Sequence, residues 1–80
     1  MNTAADIRSR LLVIVSEQYG RAEEELIASG LVDSLHAIAL ALKLEREFDL
    51  PPNSFLLTDM RSITALTLRI AAARGNPGAS

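Results

Sequence analysis

Cysteine is missing from all 80 residues, and with it go disulfides, thiol catalysis and thiolate metal sites. The single histidine, His36, leaves no cluster of ligands for a zinc ion, so no metal site is expected. Aromatic side chains are scarce: Tyr19, Phe48 and Phe55 are too few for a base-stacking surface. Positive charge is short as well. With 8 Lys and Arg against 10 Asp and Glu, the formal net charge of −2 speaks against a nucleic-acid partner, whose phosphates call for a basic face. The apolar run at 11–15 falls far short of the ~20 residues of a membrane span. No basic stretch followed by an apolar segment opens the chain, so no signal peptide is read and the expected location is the cytoplasm.

What is present is apolar aliphatic bulk: 49% of residues are hydrophobic, dominated by Leu, Ala and Ile. A chain this short makes one small domain that lacks staples and must rely on efficient helical packing. Residues 3–18 carry Ile7, Leu11, Ile14 and Val15 at helical spacing, with Leu12 and Val13 widening the face. Thr3 with Asp6 resembles a capping box, and Gly20 offers a C-terminal stop. Residues 21–33 read as a long connection. Within it Glu23, Glu24 and Glu25 form a solvated stretch with one helical turn at 22–25, Leu26 and Ile27 tuck into the core, and Ser29-Gly30 turns. A connection of this length in so small a chain is expected to have work to do.

The second helix, residues 34–48, shows one line of Leu35, Ile38, Leu42 and Glu45, with Leu40, Leu44 and Phe48 broadening its buried side. Asp33 is placed to cap it, and Pro51-Pro52 to end it. A short turn in 53–60 is expected to dock Phe55, Leu56 and Leu57. Ser62 or Asp59 then caps a last helix lined by Ile63, Leu66, Ile70 and Ala73. Residues 75–80, rich in Gly and Pro, read as a disordered tail after a domain at 1–74. The expected architecture is all-α: a small four-helix bundle of three main helices and one short one.

One segment carries chemistry. Gly30-Leu31-Val32-Asp33-Ser34-Leu35 sets a serine in the first turn of a helix, after a long loop and directly behind an acid. Backbone amides there lack helical partners and the helix dipole is positive, so a phosphodiester on Ser34 would be well placed. The run resembles the signature of acyl and peptidyl carrier proteins, in which a Gly and a short apolar spacer precede Asp-Ser-Leu at the start of the second helix. The likeness extends from position 7 to position 73. It takes in Leu26-Ile27, the stretch Glu45, Arg46, Glu47, Phe48 and Asp49 with its following proline, and Ile63, Leu66 and Ile70.

The resemblance implies that Ser34 carries a covalent 4′-phosphopantetheine arm, taken from coenzyme A by a phosphopantetheinyl transferase that Asp33 helps to bind. It further implies that Leu35 and Ile38 line the surface or pocket beside the arm, and that His36, Ile38, Ala39, Leu57 and Met60 meet partner enzymes. Those partners would be an adenylating loading enzyme and a downstream transferase or synthase. The carrier itself would be a monomer that performs no catalysis.

Two features narrow that implication. The second helix presents His36, Ala37, Ala39, Lys43 and Arg46 as its expected outer face, with Glu45 and Glu47 only at its end. Fatty-acid carriers are strongly acidic there, so steering by a basic partner would be weak here. Pro52-Asn53-Ser54-Phe55 is similar to the same stretch in D-alanyl and free-standing aminoacyl carriers. Together they point to a stand-alone carrier of aminoacyl or acyl groups in peptide or polyketide natural-product assembly. The alternatives are a carrier of fatty-acid or lipid synthesis, or an unmodified helical interaction module.

Other readings of the same residues fail on geometry. Ser34 and His36 point about 200° apart on a helix and cannot share a proton, so no serine–histidine dyad forms. Three consecutive glutamates do not converge on one ion. Ser29, Ser54 and Ser62 fit turns or caps, Arg61 and Arg69 read as exposed charge, and Met60 doubles as core filler.

Overall fold

Among the described residues three α-helices and one 3₁₀ helix make up the fold, and each begins where a side chain can serve an otherwise unpaired amide. The computed structural model describes residues 3–74, so the tail expected at 75–80 lies outside the described residues. Helix α1 spans Ala4–Tyr19, α2 spans Ser34–Glu47, the 3₁₀ helix spans Leu57–Arg61 and α3 spans Ile63–Ala73. Among the described residues the only β-type pairing is an isolated bridge between Glu25 and Ser62. The molecule is a small all-α bundle.

The caps follow the sequence closely. The Thr3 hydroxyl accepts the Asp6 amide while the Asp6 carboxylate accepts the Thr3 amide, closing the expected box. Asp33 accepts the His36 amide at 2.8 Å, and the Ser62 hydroxyl accepts the Ala65 amide at 3.0 Å. Gly20, at φ 82, ends α1 by donating to the Ser16 carbonyl; other residues reach that left-handed conformation at a cost. Helix α2 stops before its prolines. Asp49 turns left-handed (φ 55), so the amides of Asp49 and Leu50 reach back to the carbonyls of Arg46 and Glu45. This is a Schellman ending, and Pro51-Pro52 follow a stop already made.

The core draws on every element: Ile7, Leu11, Ile14 and Val15 from α1; Ala37, Leu40, Leu44 and Phe48 from α2 and its cap; Met60; and Ile63, Leu66 and Ile70 from α3. Helix α1 packs on α3, and the 3₁₀ helix touches both α3 and α2.

Helix α2 buries Leu40, Leu44 and Phe48 as expected, but not the line of Leu35, Ile38 and Leu42. Leu35, Ile38 and Leu42 are exposed, at 78%, 62% and 55%, whereas Ala37, assigned to the outside, is buried with Leu40 and Leu44. Both stripes follow the same i, i+3, i+7 spacing on nearly opposite sides of the helix, so periodicity alone does not choose between them.

Smaller departures share a cause. Residues 22–25 form no helical turn; the turn falls at 26–30 instead. The loop's backbone is committed to the start of α3: Leu26 donates to the Arg61 carbonyl (2.8 Å), and Ile63 donates to the Glu24 carbonyl (2.9 Å). Glu24 is therefore not a merely solvated side chain. Its carboxylate accepts the Thr64 amide at 2.8 Å and pairs with Arg8 of α1. Leu26 is fully buried, but Ile27 lies outside the core, as do Ala73, Leu56 and Leu57; Phe55 is half-buried.

Candidate functional site

The loop delivers Ser34 from two buried anchors. Leu26 and Val32 are both buried, and the Val32 amide donates to the Leu26 carbonyl at 3.0 Å. Between them the chain reverses at Gly30, whose φ of 80 admits glycine readily. Ser29 serves this turn as expected, donating to the Leu26 carbonyl and accepting the Leu31 amide. Leaving Val32, the chain surfaces at Asp33, and Ser34 opens α2 with its side chain exposed.

The electrostatics around Ser34 are set by its neighbours. The Asp33 carboxyl is held below its usual range, chiefly by the His36 amide it caps and further by the His36 side chain and the Leu35 amide. Imidazole Nδ1 of His36 lies 2.9 Å from Asp33 Oδ1. The ring is thus turned onto Asp33 and not onto Ser34, consistent with the rejected dyad. Tyr19, the last residue of α1, meets the His36 ring edge-on, with centroids 6.3 Å apart and planes at 81°. Burial, and then the negative charge of Asp33, push the Tyr19 hydroxyl above its ordinary pKa. A contact therefore runs from the end of α1 to the start of α2, through residues 17 apart in sequence.

One turn beyond Ser34 an apolar groove of about 240 Å³ opens between α2 and residues 52–60. Ala37, Ile38, Ala41, Phe55, Leu57 and Met60 contribute to its lining. Its far side is tied down by Glu45, which accepts the Ser54 amide at 3.2 Å, while the Ser54 hydroxyl donates to the Pro51 carbonyl.

The candidate site residues are only partly brought together. Asp33, Ser34, Leu35 and His36 sit on the exposed first turn of α2, and Ile38 and Leu57 meet at the groove. Ala39 is exposed and does not line the groove. Met60 is a correction: at 2% exposure it is no surface residue, because the 3₁₀ helix that carries it packs against both α2 and α3 and turns it inward as a groove wall. Arg69, expected as free charge, pairs with Asp59 at 3.1 Å. Tyr19 and Ala41 join the site without being expected there. Tyr19 reads from sequence only as the residue before a helix stop, and Ala41 only as a weak apolar position.

No family model, curated protein or solved structure matches the chain. Among the described residues no group of three or more His, Asp or Glu side chains gathers as for a metal ion, and no helix is long and apolar enough to cross a membrane.

Proposed function

We propose that this chain is a monomeric, cytoplasmic carrier protein that bears a 4′-phosphopantetheine arm on Ser34 and presents an aminoacyl or acyl group to partner enzymes. Natural-product assembly is the proposed setting. The observation that carries the reading is the exposed Ser34 hydroxyl in the first turn of α2, directly behind the capping carboxylate of Asp33. The surroundings suit a phosphodiester: the amides at the start of α2 present partial positive charge, and Ser34 is open to an approaching enzyme. The arm supplies a thiol that holds the acyl group as a thioester, a group this cysteine-free chain does not have.

The chain's own residues would do the rest. Ser34 Oγ provides the anchor, Asp33 gives the transferase a fixed charge, and Leu35 and Ile38 provide apolar contact beside the arm. The arm's length raises the effective concentration of its cargo at each partner in turn.

A second reading is favoured by one observation. Leu35, Ile38 and Leu42 form an exposed apolar stripe that would suit an unmodified interaction module. Incubation with a promiscuous phosphopantetheinyl transferase and a fluorescent coenzyme A conjugate separates the two. The carrier becomes labelled and its Ser34→Ala variant does not. An unlabelled wild type, in conditions that label a control carrier, would leave the interaction module.

A further inference from the structure

We infer that His36, backed by Tyr19, is a positioning residue for the modification of Ser34: it fixes the Asp33 carboxylate that the modifying enzyme engages. The inference rests on the carrier reading. Its starting point is a redundancy at the cap. The His36 amide alone satisfies Asp33 as an N-cap, at 2.8 Å, and would do so whatever side chain stood at position 36. Yet the His36 ring also brings Nδ1 to 2.9 Å from the same oxygen, Oδ1. A proton on Nδ1 would make that approach attractive, where two bare lone pairs would repel.

Two polar contacts on one oxygen restrict the rotation that a single cap contact leaves to a carboxylate whose side chain is 65% exposed. Tyr19 flanks the ring on one side: it stands edge-on to an imidazole whose side chain is 63% exposed, with its hydroxyl 3.5 Å from the His36 backbone carbonyl.

The arrangement also answers an electrostatic difficulty. The phosphate group that approaches Ser34 is anionic and would meet the negative charge of Asp33 one residue away. A proton on Nδ1, 2.9 Å from Asp33 Oδ1, would draw part of that charge towards His36, on another side of the helix from Ser34. The transfer itself balances without help from His36. Ser34 Oγ forms a bond to the β-phosphorus of coenzyme A, the phosphorus–oxygen bond to the nucleotide breaks, 3′,5′-ADP leaves, and the enzyme takes the serine proton.

Steady-state transfer from coenzyme A to wild-type protein, His36→Leu, His36→Asn and Tyr19→Ala tests this. Asn carries a side-chain donor near the place of Nδ1, whereas Leu fills the space without one. The expected result is a KM for the carrier raised about fivefold in His36→Leu with kcat little changed, mostly restored in His36→Asn, and intermediate in Tyr19→Ala. Equal KM for wild type and His36→Leu, with both helical by circular dichroism, overturns the positioning role and leaves the carrier reading intact. A wild type that accepts no arm overturns both. Nitrogen-15 NMR at about pH 9, where a histidine is ordinarily neutral, reads the ring directly. The proton is expected on Nδ1, and a proton on Nε2 alone contradicts the inference even if loading proceeds.

Discussion

At the scale of single residues, exposure separates the roles of the leucines on α2. Leu40 is buried and Leu35 is 78% exposed, although both are leucines on one helix. Leu40→Ala should cost about 2–5 kcal/mol, as buried leucines do when truncated. Leu35→Asp should change stability by less than about 0.5 kcal/mol, because it leaves the core untouched. Urea denaturation of the two variants reads both numbers. A large loss in Leu35→Asp would show that the stripe is covered in solution. Phe48, buried at the end of α2 with the Arg10 guanidinium 5.4 Å from its ring centroid, should cost about 3–5 kcal/mol as Phe48→Ala in the same assay.

At the scale of elements, the loop from α1 to α2 matters as much as the helices it joins. Glu24 reaches across to cap α3, and Ser62 caps it locally, so the start of α3 is held from two places. The Glu24 carboxyl lies below its ordinary value of 4.5 because Thr64 and then Arg8 hydrogen-bond its charged form. A pKa lowered by folding contributes stability above the unfolded value and loses it as pH falls through the folded value. Stability should therefore decline as pH drops below 4.5, and Glu24→Gln should flatten that decline, in urea titrations over a pH series. An unchanged slope in Glu24→Gln would remove the latch. Ser62→Ala should cost about 1 kcal/mol by loss of its cap.

The elements also show what the sequence could and could not reveal. Helix boundaries were legible because caps are local: Thr3 and Asp6, Gly20, Asp33 and Ser62 each act within four residues. The exposed Ser34 behind its cap was legible for the same reason. The burial of Leu40, Leu44 and Phe48 was legible, but the outward turn of Leu35, Ile38 and Leu42 was not, since the two apolar stripes share one period and only the partners across the core decide between them. Glu24 was hidden because its amide partner, Thr64, lies 40 residues away. The Schellman ending of α2 was masked by prolines that suggested a cruder stop. Tyr19 acquires its role only when the end of α1 meets the start of α2.

At the scale of the whole molecule, the surface near Ser34 combines an apolar stripe with few acids. Partner recognition should then depend little on long-range charge. Loading rates should vary by less than about threefold between low and high salt, where a strongly steered pair varies far more. A steep salt dependence would show that charges elsewhere on the molecule guide the encounter.

The central claim is that Ser34 is a covalent anchor, and mass tests it most directly. After incubation with coenzyme A and a phosphopantetheinyl transferase, the intact protein should gain about 340 Da, the mass of the arm, and fragmentation should place it on Ser34. No gain while a control carrier is loaded, or a gain placed on Ser29, Ser54 or Ser62, would contradict the account.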